Sequence, residues 1–353
     1  MAKFFSKLKK DKIPFFAFCV LFVLYVLIIF ADFFALYPAT YSNRKLAYQP
    51  PSKIYLITPE NKISKPYTYN YLKTFNKDTL SIEYKQDRSH KCYIKVFAKG
   101  FEYKFLGLFK TNIHFLGVDD GCNLHLLGTD INGCDVFSRL FYGGQISLTI
   151  GFLALFISFP IGAIYGGISG YIGGKTDKIL MRIAEGIMSI PSFYLLIILA
   201  SILPSGMSSI QRFALITAIL ALIGWAGFSR VIRGMVLSIK NQEYVKAIET
   251  IGASRKRVIL KHILPQTSSY VIIALTLSVP SYILAESGLS FLGLGIQLPD
   301  ASWGNMLKEA QEFANILYRP WLLTPGFLIF IAVLSFNVLG DKIRDVLDPK
   351  TLK

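Results

Sequence analysis

The chain has 353 residues, of which 53% are hydrophobic and only 17% are charged. Soluble domains carry about 25% charged residues, so this composition excludes a disordered protein and argues against a simple soluble one. The formal net charge is +16. In a soluble protein that excess would suggest nucleic-acid binding, whereas membrane proteins concentrate Lys and Arg in their cytoplasmic loops. Four cysteines are too few for a disulfide scaffold of this length.

Six apolar stretches are long enough, or nearly so, to cross a bilayer as helices. A hydrocarbon core of about 30 Å needs roughly 20 apolar residues at a rise of 1.5 Å each. The first stretch is longer than the apolar core of a cleavable signal peptide and no clear cleavage site follows it, so it predicts an uncleaved anchor helix. The six predicted spans are Pro14–Leu36, Ile146–Ile172, Ile183–Leu203, Phe213–Ile239, Thr267–Leu292 and Trp321–Leu339.

The distribution of basic residues predicts the orientation of these spans. Six spans put both termini on one side, and with the N-terminus inside, the inner segments hold 20 Lys and Arg residues against three in the short outer loops. Long translocated segments do not count in the positive-inside rule, so both termini are predicted to be cytoplasmic. Because this distribution accounts for the basic residues, we expect no nucleic-acid partner. The inner segments are 1–13, 173–182, 230–265 and 340–353, and the short outer loops are 204–212 and 293–320.

A separate β-rich unit is predicted between the first two spans, because the composition becomes polar and Tyr-rich at Tyr37. Alternating residues at Tyr93–Phe97 and Glu102–Leu106 flank Lys99-Gly100 and predict a β-hairpin with its turn there. The predicted parts of the chain are a cytoplasmic N-terminus with the first span (1–36), a periplasmic insertion (37–140), a core with the other five spans and an inner loop at 240–265 (141–341), and a cytoplasmic tail (342–353).

The predicted insertion contains Cys92, Cys122 and Cys134, in a compartment that permits disulfides. We predict a disulfide between Cys122 and Cys134, which are twelve residues apart. Closing so short a loop would restrain the unfolded chain by about 3 kcal/mol. The alternatives are free thiols, or a metal held by Cys122 and His125 with His114 nearby. One histidine at scattered spacing is a poor zinc pattern, so no metal site is expected.

The second predicted span carries four glycines at four-residue spacing, which puts them on one helix face. Missing side chains let another helix approach closely, so the row predicts helix packing, although glycines are also common in membrane helices for other reasons. The segment Gly173–Thr176 resembles part of a phosphate-binding loop, but Ser169 stands where that pattern needs glycine, which excludes a nucleotide site. The four glycines are Gly162, Gly166, Gly170 and Gly174.

Glu286 lies near the outer end of an apolar stretch. Ionisable residues inside a membrane are costly, and they mark either a substrate passage or a polar contact between helices. Glu286 is therefore a candidate for lining a passage, with a structural hydrogen bond as the alternative. The sequence contains no nucleophile elbow, paired helical histidines or spaced cysteine pairs, so we expect a non-catalytic chain that binds no cofactor itself.

The inner loop predicts two short amphipathic helices joined at Gly252, which can adopt the left-handed conformation that ends a helix. Ser254 can cap the second helix, and Pro265 suits the first turn of the following span. Such a pair presents one side to a soluble partner or, alternatively, lies on lipid. The apolar faces are Val245, Ile248 and Ile251 on the first helix, and Val258, Ile259 and Ile263 on the second.

This loop resembles the signature of ABC importer permeases, in which Glu-Ala-Ala is followed by Gly and later by Leu-Pro. Here Lys246-Ala247-Ile248, Gly252 and Leu264-Pro265 occupy those places. Further blocks over about 127–350 are similar to the oligopeptide/dipeptide/nickel permease family and identify its C-type subunit. Cys134 stands where that family usually has Arg. These blocks are Leu127–Arg139, Glu286–Gly295, Ser302–Gly304 and Phe336–Pro349.

The resemblance implies an all-α polytopic protein of the bacterial inner membrane, with six transmembrane helices in the type I ABC importer permease fold. It implies three kinds of protein partner: a homologous second permease, two cytoplasmic ATPases that bind ATP and Mg, and a periplasmic binding protein that delivers substrate. Short peptides are the leading candidate substrate, and nickel and some sugars are the alternatives. A stand-alone secondary transporter and a membrane-embedded enzyme are the alternatives. The implied ATPase-coupling residues are Glu243, Tyr244, Lys246, Ala247, Gly252, Ala253, Leu264 and Pro265.

Overall fold

The computed structural model describes residues 11–58, 62–76, 81–204 and 206–347. These residues form two compact units. The first, here called the helical unit, comprises the chain up to Leu21, Leu148–Leu289 and the chain from Phe330. The second, the insertion unit, comprises Phe22–Ser147 and Ser290–Ile329.

Twelve α-helices occur in the described part of the chain, together with a π-helical segment at Val258–Ile263 and short 3₁₀ turns at Arg44–Leu46, Leu264–Thr267, Lys308–Gln311 and Pro320–Leu323. The helices are α1 (Lys12–Ile29), α2 (Ala31–Phe34), α3 (Val136–Ile172), α4 (Gly174–Met188), α5 (Ser192–Ser201), α6 (Ser209–Ile239), α7 (Glu243–Thr250), α8 (Arg255–Arg257), α9 (Ser268–Phe291), α10 (Trp303–Leu307), α11 (Phe313–Tyr318) and α12 (Thr324–Leu347).

Five helical stretches in the described residues are long and apolar enough to cross a membrane. The predicted third span differs, because it consists of α4 and α5, bent by 77° relative to each other. Pro191 stands at the break, where it lacks an N–H and disfavours helical geometry at Ile190. The count becomes six if this pair is one span. The five stretches are Lys12–Ile29, Val136–Ile172, Ser209–Ile239, Arg255–Phe291 and Pro320–Leu347.

Within the helical unit, three glycines of α3 face the backbone of α6. A Cβ atom on any of them would come closer to a carbonyl oxygen than real Cβ atoms do, so only glycine permits this approach. The added Cβ would lie 2.7 Å from Trp225 O at Gly162, 2.3 Å from Ser229 O at Gly166 and 2.8 Å from Arg233 O at Gly170.

The fourth glycine of the predicted row, Gly174, does not take part in this packing. Helix α3 ends at Ile172, and Gly174 begins α4 with a positive φ of +59° and no atom within 4 Å of an added Cβ. The prediction for Gly174 was wrong because four-residue spacing places residues on one face only while the helix continues.

The insertion unit contains an antiparallel sheet in the order β1-β2-β3-β4, formed by Tyr55–Ile57, Ile63–Asn76, Ser81–Phe105 and Phe109–Val118. The predicted turn at Lys99-Gly100 was wrong, because β3 continues through it with a shift in register before Tyr103. A Cβ on Gly100 would lie 2.6 Å from the His114 ring, so this glycine permits a close cross-strand approach. The turn lies instead between the paired residues Phe105 and Phe109.

The disulfide joins Cys92 to Cys122, and the predicted Cys122–Cys134 pair was wrong. The register of the sheet explains the pairing. Ile94 pairs with Val118 across antiparallel strands, so the chain just after Val118 returns alongside Cys92. Cys134 is a free, buried thiol. The metal alternative also fails at Cys122, because its sulfur is bonded to Cys92 and His125 is hydrogen-bonded to Asp135, with Nδ1 2.8 Å from Oδ1.

Candidate functional site

The inner loop folds back on the end of α6 and shares a small apolar core with it. Helix α7 and the segment after α8 each contribute buried side chains, as their amphipathic patterns predict. At about 25 cal/mol per Å² of buried apolar surface, such a core holds the loop firmly to the helix. The buried members of this core are Ile232, Val236, Ile239, Val245, Val258 and Ile263.

Gly252 forms the turn between the two loop helices, as predicted. Its φ is +83°, and its N–H donates to the carbonyl of Glu249 at 3.0 Å. The N–H of Ala253, which is half-buried, donates to the carbonyl of Ile248 at 3.3 Å. No atom lies within 4 Å of an added Cβ at Gly252, so a side chain there meets backbone strain and not a clash. Ser254 occupies the N-cap position of α8 without a side-chain capping bond.

Ile251 does not belong to the inward apolar face, contrary to the prediction. Its side chain is 83% exposed, whereas Val245 is buried and Ile248 is partly buried in the loop core. Ile251 lies six residues after Val245 at the end of α7, and at 3.6 residues per turn this places it about 120° from Val245 around the helix, toward the outer side. We call the outward set the exposed row. It consists of Glu243, Lys246, Ala247, Thr250 and Ile251.

The remaining candidate loop residues lie on the inner side or at its exit. Tyr244 is half-buried against the loop core, and its hydroxyl donates to the carbonyl of His262 at 3.5 Å. Leu264 also packs against the core, and the exposed Pro265 lies in the 3₁₀ turn Leu264–Thr267 that leads into α9. The structure thus brings the eight predicted loop residues into one compact element, with only some of them facing outward.

Two polar contacts tie the loop to the end of α3. The hydroxyl of Tyr171 donates to the carboxylate of Glu249 on α7. The ammonium of Lys240, just after α6, donates to the carbonyl of Gly170 at 2.8 Å. Because Gly170 also packs against α6, the ends of α3 and α6 and the loop form one connected element within the helical unit.

A further ionic contact joins α3, α4 and α6 close to the loop. Asp177 on α4 accepts from Arg233 Nε on α6 at 3.0 Å and from Ser169 Oγ on α3 at 2.5 Å, and a second Arg233 nitrogen completes a bidentate pair. Sequence reasoning missed this group. The available signal was an Asp in the first turn of a helix and an Arg within an apolar span, two costly charges that call for partners.

Glu286 is fully buried within the helical unit. The hydroxyl of its neighbour Ser287 donates to Glu286 Oε2 at 3.4 Å. The role of Glu286 on a passage stays a prediction.

The insertion unit contains a cavity of about 570 Å³ between the Asp130 segment and the chain around Glu309. Glu309 accepts from the N–H of Ile131 at 3.0 Å, and burial, followed by the nearby Asp130 charge, raises the pKa of Glu309 to about 7. Burial also raises the pKa of Asp130 and of the Cys134 thiol. Asp130 accepts from two backbone N–H groups at 2.8 Å, so it organises the turn that contains Cys134.

Comparison with known proteins identifies the family. The sequence profile described as "Binding-protein-dependent transport system inner membrane component" matches residues 158–353, more than half of the chain. The chain is 46% identical over 228 residues to the dipeptide transport system permease protein of Bacillus subtilis (strain 168), which covers 64% of this chain and 69% of that protein. It is 43% identical over 230 residues to the oligopeptide transport system permease protein of the same organism, covering 65% and 73%.

A third relative is the glutathione transport system permease protein of Escherichia coli O6:K15:H31 (strain 536 / UPEC), with 39% identity over 227 residues, covering 64% of this chain and 72% of that protein. The matched profile includes the whole inner loop and the ionic contact of Asp177 with Arg233. These matches confirm the resemblance found in the sequence. The chain belongs to the family of binding-protein-dependent transport system inner membrane components, as a multi-pass C-type permease subunit of the oligopeptide/dipeptide ABC importers.

Proposed function

We propose that this permease carries short peptides across the bacterial inner membrane, from a periplasmic binding protein to the cytoplasm. A homologous second permease would form the passage with it, and two cytoplasmic ATPases would bind ATP and Mg and supply the energy. The names of three relatives, for dipeptide, oligopeptide and glutathione transport, all specify peptides and support this substrate class. None of these three names mentions nickel.

Two features support six spans. Gly162, Gly166 and Gly170 of α3 meet successive residues four apart on α6, in ascending order on both helices, so α3 and α6 run parallel. A chain that leaves one helix and enters a parallel neighbour must cross back between them. The bent pair α4–α5 therefore counts as one span in the proposed topology.

The chain ends support the same topology. The Lys342 ammonium near the end of α12 forms an ion pair with Asp11 at the start of α1, which requires an even number of crossings. Arg344 lines a cavity together with Tyr270, which lies at the start of α9 close to the inner loop. These contacts support one shared side for both ends of the described chain and the loop, and the basic residues there favour the cytoplasm for that side. The β-rich insertion would then be periplasmic.

The observation that carries the coupling role is the division of α7 into two faces. Val245 and Ile248 hold the helix to the core it shares with α6, while the exposed row, ending at Ile251, remains free for a protein groove. An ATPase that closes on ATP would push this row. The push would reach the membrane helices through the loop core and the contacts of Lys240 and Asp177.

Reconstitution of the four-subunit complex with its binding protein tests this function. Proteoliposomes should take up a labelled dipeptide only with ATP, and Ile251→Asp should reduce both ATPase association and uptake at least tenfold. Ile63→Asp is the matched control, since Ile63 is also an exposed isoleucine (94%) but lies in the sheet. Uptake that persists without ATP and follows an ion gradient would establish a stand-alone transporter. Normal association of the Ile251→Asp protein would refute the coupling role.

A further inference from the structure

The β3–β4 hairpin ends in an exposed apolar loop, Phe105–Phe109, here called the tip loop. Leu106 is 53% exposed, Leu108 80% and Phe109 58%. These side chains are contiguous, and Gly107 is the only residue of the loop without an apolar side chain. Contiguous apolar surface of this kind marks a contact with another apolar phase or partner.

The tip loop lies beside the end of the first membrane helix. The Phe105 ring centroid is 5.5 Å from that of Phe30, the residue that follows α1. Farther from the tip, the ring centroid of Phe115 lies 5.5 Å from that of Phe34 and 6.1 Å from that of Phe33. Hairpin residues far from the tip therefore contact residues beyond α1, and hairpin residues at the tip contact the end of α1 itself. The hairpin is directed toward the membrane side of α1.

A buried histidine holds the hairpin in this direction. His114 on β4 is 2% exposed, and its Nδ1 lies 2.8 Å from the carbonyl oxygen of Asp32 on α2. Its Nε2 lies 2.9 Å from the carbonyl oxygen of Phe101 on β3. Both strands are thus fastened to the short helix that directly follows the membrane span, so the position of the tip loop is fixed relative to that span.

Two lysines flank the tip loop. Lys104 and Lys110 pair directly across the hairpin, and both are exposed. The segment from Lys104 to Lys110 contains no acidic residue. A lysine next to an apolar surface can lay its methylene stem along that surface and keep its ammonium among lipid phosphates. An apolar tip with a basic rim is the pattern of an interfacial membrane anchor.

We propose that the tip loop inserts into the boundary between headgroups and acyl chains, in the leaflet where α1 ends, with Lys104 and Lys110 at the phosphate level. Continuity with the membrane span favours lipid as the occupant. The last turns of α1 expose Phe22, Val23 and Ile29, as a helix facing acyl chains does, and Phe30 joins that surface to Phe105. The anchor would keep the insertion close to the bilayer surface.

Quenching of tryptophan by brominated lipid tests the insertion. The full chain carrying Leu108→Trp is reconstituted in nanodiscs that contain phosphatidylglycerol and acyl-brominated lipid, alone and in the assembled complex. The emission of the parent protein is subtracted. We expect bromolipid to reduce the added emission at least twofold. Ile63→Trp is the matched control, because Ile63 is an exposed apolar residue of the same sheet outside the tip loop, and it should be unaffected.

The other outcomes are equally informative. Water-like emission without quenching at Leu108→Trp would overturn the proposal. Blue-shifted emission without quenching in the complex would also overturn it and would assign the tip loop to a protein partner. Charge reversal in the Lys104→Glu, Lys110→Glu double variant should weaken quenching in anionic nanodiscs and have less effect in zwitterionic ones. Equal loss in both lipids would contradict the role of the lysines.

Discussion

Two turns of this molecule present an apolar side chain outward, each next to a glycine with positive φ. At Gly252 in the helical unit, φ is +83° and the neighbouring Ile251 is exposed. At Gly107 in the insertion unit, φ is +74° and Leu108 is exposed. The first turn ends a helix, so a local pattern predicts it. The second closes a hairpin whose register depends on distant residues. The two glycine turns therefore have similar local geometry but belong to different surfaces, and the position of each turn in the fold decides which surface it forms.

Gly252→Val is expected to have the largest effect. Valine at positive φ costs about 1–2 kcal/mol of strain and would change the direction of the second loop helix relative to α7. We expect uptake to be abolished, with ATPase association weakened at least tenfold and membrane insertion unchanged. Gly252→Asn should retain activity, because asparagine tolerates this conformation.

Gly107→Val provides the matched control for that experiment. Gly107 also has a positive φ and no atom within 4 Å of an added Cβ, so the local strain is comparable. This variant should keep ATPase association and most uptake. Equal loss of association in the two variants would mean that general destabilisation, and not the position of the loop, explains the effect of Gly252→Val.

Loss of the disulfide should damage the insertion unit and leave the helical unit unaffected. Cys92→Ser removes a crosslink that spans 30 residues, which stabilises the folded insertion by roughly 3–4 kcal/mol according to loop-closure entropy. We expect the sheet to become sensitive to protease while the ATPases stay bound. Cys134→Ser is the control, because Cys134 is a free thiol. Resistance of the Cys92→Ser sheet to protease would show that the crosslink contributes little.

A substitution at the contact between α3 and α6 should reduce stability less than loss of the disulfide does, but more than a substitution at the protein surface. Gly166→Ala places a methyl group 2.3 Å from Ser229 O, so α3 and α6 must separate, at a cost of about 1–3 kcal/mol. Thermal unfolding in detergent should begin several degrees lower. Gly227→Ala is the control, since no atom lies within 4 Å of its added Cβ. If the two variants melt together, close approach at Gly166 is not a source of stability.

The parts of the fold that sequence predicts are those set by neighbouring residues. The length of the apolar runs predicted five of the spans, the conformational freedom of glycine predicted the turn at Gly252, and four-residue spacing predicted the packing of Gly166. Each of these signals lies within one continuous segment of the chain. The predictions of the hairpin turn and of the disulfide partner of Cys122 were wrong for the opposite reason. Both follow from strand register, which links residues far apart in the chain. Glu309 was missed as well, since its environment is built by the Asp130 segment, distant in sequence.

Glu309 supports the smallest prediction, a pH dependence confined to the insertion unit. Burial raises the pKa of its carboxyl group to about 7 in the folded protein, against an ordinary value of 4.5. Between these values the folded state binds more protons than the unfolded state, so the free energy of unfolding falls as the pH rises from about 4.5 through 7. The melting temperature should therefore decline by a few degrees over that window, and Glu309→Gln should flatten the decline. Glu312→Gln, an exposed acid on the same cavity, controls for the lost charge. An unchanged slope in Glu309→Gln would show that this carboxyl group does not titrate with folding.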